Sequence, residues 1–319
     1  MRMLHKSIYS FLIPALLLSA CSKQLSRGDN SFDVTAEKTT VNKGDTVRFS
    51  FSGNPDMISF YSGEAGKRFN YANRASADGT PILRFRSLRA NGSQPNSLNV
   101  FVSDNFEGVA VGDTATTINR IGTATWNDLT SKANLSTGTV TSSGNIDLSD
   151  FANASKPVYV AFRYSAQPGS VQNKWTIDSF SIKNMLADGT TYEIANHNAS
   201  SVAYTSYGVQ TYSPGFVNYR VKNIYNWIIG STSLVITGAD SAPFATAVAE
   251  GWAIIGPIDL KKVTPDVGTV VKIASQSIDD VRFAYRYTTP GTYEATLYGG
   301  RVSLDENEQT AKTITITVQ

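Results

Sequence analysis

The residue types that carry nucleophilic, acid–base or metal chemistry are scarce in this chain. It holds one cysteine, Cys21, and two histidines, His5 and His197. A Ser-His-Asp or Cys-His arrangement would have to be built on His197 once an N-terminal leader is removed. That residue lies in the polar, turn-like stretch Glu193-Ile-Ala-Asn-His-Asn-Ala199, so a surface position is expected for it. None of the strings G-x-S-x-G, G-x-x-x-x-G-K-[ST], G-x-G-x-x-G or H-E-x-x-H occurs. Glycoside hydrolysis needs only two carboxylates a few ångströms apart. Any pair of the 26 acidic residues could supply them, and no motif singles one out. The expectation is a protein that is not an enzyme, with a glycosidase as the remote alternative.

What the chain has instead is aromatic rings. Between Ala203 and Trp227, seven of 25 residues are aromatic, against 11% of the whole chain. Tyr and Trp combine an apolar face with a polar edge. A sugar presents flat C–H faces ringed by hydroxyls, so such rings stack on it while amides and hydroxyls bond its rim. Tyr204, Tyr207, Tyr212, Tyr225 and Trp227 are therefore candidate glycan-binding residues, with Tyr71 and Arg74 as secondary ones. The competing assignment packs the same rings into a core. Trp126, Trp175 and Trp252 lie in strand-like motifs and are assigned to the core.

Cys21 closes the tetrapeptide Leu18-Ser19-Ala20-Cys21. Ahead of it stand basic Arg2 and Lys6 and an apolar run from Phe11 to Leu18, the order of a secretory signal. The run is too short to span a bilayer, which takes roughly 20 apolar residues. The tetrapeptide resembles the bacterial lipobox, which implies cleavage before Cys21 and acylation of its sulfur and amine. Two or more acyl chains anchor a protein stably. The alternative is an ordinary cleaved signal with an incidental cysteine. Residues 1–20 are thus read as a lipoprotein signal peptide and 21–30, polar throughout, as a tether. Residue 22 is Ser rather than the Asp of inner-membrane retention, so the outer membrane, facing either the periplasm or the cell surface, is the expected location.

Removing the signal takes away Arg2 and Lys6 and leaves 26 basic residues against 26 acidic. A neutral chain gives no electrostatic case for nucleic acid or for an anionic membrane, so membrane contact is expected through lipid only. With Cys21 acylated, no intrachain disulfide and no zinc site with two His or Cys ligands can form. Calcium takes carboxylate and carbonyl oxygens from loops. Asp104, Asn105, Glu107 and Asp128 could supply them, but they read first as turn residues making Asx hydrogen bonds. No cofactor is expected, with structural calcium as the weaker alternative.

The fold class is all-β. Short alternating or β-branched runs recur: Thr46–Phe51, Met57–Tyr61, Ser97–Val102, Pro157–Tyr164, Lys174–Ile182, Asn226–Ile229, Ser233–Thr237, Val270–Ile273, Val281–Tyr287, Thr292–Tyr298 and Thr313–Val318. Turn residues separate them, the pattern of sandwiches. The one helix expected is Pro243–Glu250, capped by Asp240 or Ser241.

Val41-Asn-Lys-Gly-Asp-Thr-Val-Arg-Phe-Ser-Phe-Ser-Gly53 with Ile58-Ser-Phe-Tyr-Ser-Gly63 resembles the front half of a PKD-type Ig-like domain. Tyr285-Arg-Tyr-Thr-Thr-Pro-Gly-Thr-Tyr-Glu-Ala-Thr-Leu297 with Thr313–Val318 resembles the back half. The resemblance implies one sandwich split in sequence, since exposed loop tips tolerate insertion. Two incomplete sandwiches in series are the alternative. In between, Val102-Ser-Asp-Asn-Phe-Glu-Gly108, Ala124-Thr-Trp-Asn-Asp-Leu129, Val158–Tyr164 and Trp175–Phe180 resemble extracellular jelly rolls of adhesins and carbohydrate-binding modules. The expected division is 31–80 for the first half of the PKD/Ig-like domain, 81–274 for the jelly roll and 275–319 for the second half.

As a whole the chain resembles a Bacteroidetes-type outer-membrane lipoprotein family with a domain of unknown function. That resemblance implies service beside a glycan-uptake transporter. The expected function is a lipid-anchored, non-enzymatic envelope protein that binds a polysaccharide or oligosaccharide as an accessory to capture and uptake. A structural or adhesive lipoprotein that binds a protein partner is the alternative.

Overall fold

A computed structural model of the chain describes residues 32–152, 156–197, 202–204, 210–302 and 307–319. Its strands follow the period-two rule. Thr46–Gly53 buries Val47 and Phe49 and exposes Arg48 and Ser50, and Met57–Tyr61 buries Ile58 and Phe60.

The two ends of the chain complete each other. Thr46–Gly53 lies between Phe32–Ala36 and Phe283–Arg286 in a three-stranded sheet. Met57–Tyr61 lies between Thr269–Lys272 and Gly291–Val302, and Asn307–Val318 and Thr40–Val41 extend that sheet. Residues 32–61 and 269–318 therefore share both sheets and one core, in which Phe49, Ile58, Phe60, Tyr287, Leu297 and Ile316 meet. Each such side chain contributes about 1.5–3 kcal/mol on burial. The Tyr287 hydroxyl satisfies itself by donating to the Ser62 carbonyl at 3.0 Å.

The intervening residues form a second sandwich. Its first sheet runs in the order Phe216–Lys222, Ala249–Ile258, Val158–Ala166, Leu98–Ser103, Asn127–Asp128. Its second runs Ile228–Ile229, Ser233–Thr237, Lys174–Met185, Thr80–Ala90, Thr141–Ser142, with Thr191–Asn196 also paired to Lys174–Met185. Between them Phe85 meets Phe162 edge-on at 5.0 Å, and Trp175, Ile177, Tyr164 and Ile255 are buried.

The registers fix how the two sandwiches are strung together. Phe32 pairs with Gly53 at one end of the terminal sandwich, and Gly300 pairs with Met57 at that same end. The links to the inserted sandwich leave after Tyr61 and return before Thr269 at the opposite end. In the inserted sandwich, Val158 opposite Ile258 and Met185 opposite Thr80 mark the end near those links. Ala166 opposite Ala249 and Lys174 opposite Ala90 mark the far end.

Two expectations change. Residues 243–250 are not a helix. Ala242–Phe244 makes one 3-10 turn, and Ala249–Ile258 continues as a strand whose backbone groups are taken by the ladders to Val158–Ala166 and Phe216–Lys222. The longer α-helix is Thr114–Thr123, which the sequence hides because Thr is a weak helix former, and Ser149–Ala152 makes one further turn. The longer helix stands on its cap, where Asp113 accepts from the Thr116 N–H at 2.9 Å, and on Ile121, buried against Phe101, Phe106 and Trp252.

Candidate functional site

The links between the sandwiches run side by side as residues 62–79 and 259–268. Backbone bonds tie them: Ala77 N–H to Lys261 at 2.9 Å, Val263 N–H to Ala75 at 3.0 Å, Asp266 N–H to Tyr71 at 3.0 Å and Val267 N–H to Gly66 at 3.1 Å. The side chain of Asp266 is buried between two arginines. Its carboxylate accepts from the Arg68 backbone N–H at 2.9 Å and lies 3.4 Å from Arg68 Nε and 3.7 Å from Arg74 Nη2. Arg68 reaches on to Asp188 of the inserted sandwich at 3.1 Å, and Arg74 donates to the Tyr192 hydroxyl at 2.6 Å. Burial pushes the Asp188 carboxyl up, but the Thr190 hydroxyl and N–H and the Arg68 guanidinium outweigh it and hold it below the usual carboxylate range.

These bonds position Tyr71. The Arg74 guanidinium lies 4.0 Å and the Arg68 guanidinium 4.6 Å from its ring centre. Such contacts contribute about 0.5–2 kcal/mol each. Phe69 packs at 5.3 Å against Tyr61 and 5.0 Å against Tyr298, on the terminal sandwich.

Between these rings and the strand Gly291–Val302 lies a cavity of about 260 Å³, lined by Gly63, Arg68, Phe69, Asn70, Tyr71, Thr292, Glu294 and Thr296. Thr292, Glu294 and Thr296 share one face of their strand by the period of two. Asn70, Thr292 and Glu294 are exposed, and Thr296 is buried. Gly63, at φ +83°, sits so close that a Cβ there would come within 2.7 Å of the Glu294 backbone nitrogen. Beside the cavity, Glu64 accepts from the Tyr285 hydroxyl and, at 3.0 Å, from the Ser62 hydroxyl, while Lys67 donates to the Tyr285 oxygen at 3.2 Å. The arrangement offers aromatic edges, an amide, hydroxyls and one carboxylate within a small opening, the donor and acceptor mix of a site for a polar ligand.

Of the sequence candidates, Tyr71 and Arg74 meet here. Of the candidates in the aromatic segment, the side chains of Tyr225 and Trp227 are among the described residues, and neither lines this cavity. Cys21 and Tyr207 lie outside the described residues. Tyr204 and Tyr212 fall in the hairpin Val202–Tyr204 with Gln210–Tyr212, of which the backbone is described. Tyr225 is half-buried against the inserted core. Trp227 is no surface platform: it is 1% exposed, and its indole N–H donates to the Gly251 carbonyl at 3.0 Å. A buried indole must find such a partner. His197 is buried as well, contrary to the expected surface position. Its Nε2 lies 3.0 Å from the Gly230 carbonyl, and its ring is 5.6 Å from Phe216.

Three of the four calcium candidates are engaged locally. Asn105 accepts from the Ser103 hydroxyl and the Thr125 N–H, both at 2.9 Å, Asp128 accepts from the Thr130 N–H at 2.8 Å, and Glu107 pairs with Arg120 at 3.2 Å. No group of three His, Cys, Asp or Glu that could hold a metal occurs among the described residues. Sequence reasoning missed Arg68, Phe69, Asn70, Thr292 and Glu294. The available signal was Arg68-Phe-Asn-Tyr-Ala-Asn-Arg74, a cluster of rings, amides and cations in a link.

The model of a protein family described as a domain of unknown function, DUF5017, matches residues 20–202, more than half of the 319 residues. No curated protein and no solved structure matches the chain.

Proposed function

The chain belongs to the DUF5017 family, and we propose that it is a lipid-anchored, non-enzymatic envelope protein that binds a glycan as an accessory to polysaccharide capture and uptake. The observation that carries this reading is the cavity at the junction of the two sandwiches, where Phe69 and Tyr71 stand beside Asn70, Thr292 and Glu294. At about 260 Å³ it lies just under the roughly 300–1,000 Å³ of ordinary small-molecule sites, a size suited to a short sugar segment rather than a long groove. One carboxylate, Glu294, lines it, whereas glycoside hydrolysis usually employs two. Acylation at Cys21 supplies the anchor, with the outer membrane as the location and a transporter complex as the partner.

The test is affinity electrophoresis of residues 22–319 through gels holding plant, algal or host polysaccharides. Retardation by one class, lost in Tyr71→Ala, is the expected result. A chain that migrates freely in every gel defeats the reading. Anchoring is checked separately by incorporation of labelled palmitate, which should disappear in Cys21→Ser.

A second reading, a structural lipoprotein that binds a protein, draws on the edge strand Thr269–Lys272. Val270 there is 65% exposed, and Ile273 just beyond it is 50% exposed. Exposed apolar edges pair readily with other chains. A pull-down from outer membranes that yields one stoichiometric partner, lost in Val270→Lys, would favour it.

A further inference from the structure

The geometry points to a second carbohydrate subsite at the far end of the inserted sandwich, formed by the turns that close it there. The registers Tyr164 with Leu98, Ala166 with Ala249, and Lys174 with both Ala90 and Thr237 bring residues 91–97, 166–173 and 238–248 to that end. A cleft of about 480 Å³ lies between the first two stretches, lined by Gln94, Pro95, Asn96, Ser165, Gln167 and Ser170. The lining is three amides, two hydroxyls and a proline ring. In all three stretches the one ionisable side chain is Asp240, in a chain that is 17% charged. A ligand that matches is uncharged and rich in hydroxyls, which is the chemistry of a neutral oligosaccharide. None of the three stretches carries a cation to pair with a phosphate, sulfate or uronate.

The cleft is preformed. The Gln94 side chain staples its walls, with Nε2 donating to the Gln167 carbonyl and the Ser170 hydroxyl, each at 2.8 Å, and Oε1 accepting from the Gln167 N–H at 2.8 Å. Buried Asn173 holds Gln94 from behind, donating to its carbonyl at 2.7 Å and accepting from its N–H at 3.1 Å. Walls fixed in advance lose little entropy when a ligand enters. Asn96 and Gln167 remain exposed at the rim.

The third stretch supplies a flat apolar face. Gly169 N–H donates to the Ala245 carbonyl at 2.8 Å, and Gln172 Nε2 bridges the Gln167 and Ala247 carbonyls at 3.2 and 3.1 Å. These bonds seat the turn carrying Phe244, 72% exposed, against the turn carrying Gln167. An exposed ring beside an uncharged amide-lined cleft offers stacking and hydrogen bonding together. The nine residues of Val158–Ala166 span about 30 Å at roughly 3.3 Å per residue. The subsite lies at the Ala166 end of that strand, whereas the links that form the junction cavity lie beyond its Val158 end.

The choice of ligand rests on the glycan-binding reading; the position of the subsite does not. The test is backbone amide NMR of residues 22–319 titrated with hexasaccharides of glucose, mannose and xylose, in the wild type, in Tyr71→Ala and in Gln167→Ala with Phe244→Ala. Shifts at Gln167, Ser170 and Phe244 that persist in Tyr71→Ala and vanish in the double variant, with at least a tenfold loss of affinity, are expected. Shifts confined to Phe69–Tyr71 overturn the subsite and leave the junction reading standing. Shifts at the far end alone keep the subsite and remove the junction cavity. No shift with any sugar defeats both.

Discussion

The carboxylate of Asp266 accepts the backbone N–H of Arg68 at 2.9 Å across 198 residues of sequence. That bond joins the outgoing and returning links of the inserted sandwich, and the same carboxylate lies against both guanidinium groups that flank Tyr71. Local charge, link geometry and ring position therefore depend on one residue.

Asp266→Asn keeps the shape and removes the charge. It leaves Arg68 and Arg74 facing each other with less compensation in a largely buried setting. Removing one partner of a buried pair costs about 3–5 kcal/mol; Arg68 is 25% exposed, so the low end applies. Urea unfolding followed at equilibrium should show a loss of about 3 kcal/mol, and glycan affinity should fall with it.

Acid should loosen the same junction. The Asp188 carboxyl titrates below its unfolded value of about 3.9, despite burial, because Thr190 and Arg68 favour its charged form. A depressed carboxylate contributes stability that is fully present above the unfolded pKa and is lost as pH falls through the folded one. The stability gap between wild type and Asp188→Asn should therefore be constant at pH 6–7 and shrink as the pH falls below about 4. A gap that does not change with pH would show that Asp188 acts by shape alone.

Trp227 is a packing residue. Replacing a buried Trp with Ala costs about 3–5 kcal/mol through the cavity left behind. Trp227→Ala should lower the unfolding midpoint strongly. At temperatures where the variant stays folded, its retardation in polysaccharide gels should equal that of the wild type. Weakened binding in a fully folded variant would return the ring to the site.

The strands were legible wherever alternation was clean. Met57–Tyr61 and Ser233–Thr237 are read at their observed bounds, because Ile58 with Phe60 and Leu234 with Ile236 mark one buried face. Thr80–Ala90 escaped, since Arg84 and Arg86 on its outer side disguise Leu83 and Phe85 as isolated residues. Phe216–Lys222 has no clean alternation and follows the turn residues Ser213, Pro214 and Gly215; tertiary pairing with Ala249–Ile258 decides it. Aromatic density is ambiguous for a related reason, as buried Trp227 shows. Rings are as useful inside a sandwich as on it, and composition cannot tell the two apart. The junction site was legible only as Tyr71 and Arg74, because Thr292 and Glu294 join them through a strand pairing more than 200 residues away.

Gly63 tests whether that long-range approach builds the cavity. Its φ of +83° lies in the region L side chains avoid, at a cost of roughly 1–2 kcal/mol, and a Cβ would meet Glu294 backbone atoms at 2.7–3.0 Å. Backbone cannot swing aside as a side chain can, so the strand Gly291–Val302 has to shift away from residues 68–71. Gly63→Ala should cost more than about 2 kcal/mol in equilibrium unfolding. In the folded fraction it should weaken glycan binding more than Thr292→Ala does, because it moves a whole wall of the cavity and not one hydroxyl. Isothermal titration of both variants with the polysaccharide that retards the wild type makes the comparison. Equal affinities would mean that the Gly63 approach serves packing alone.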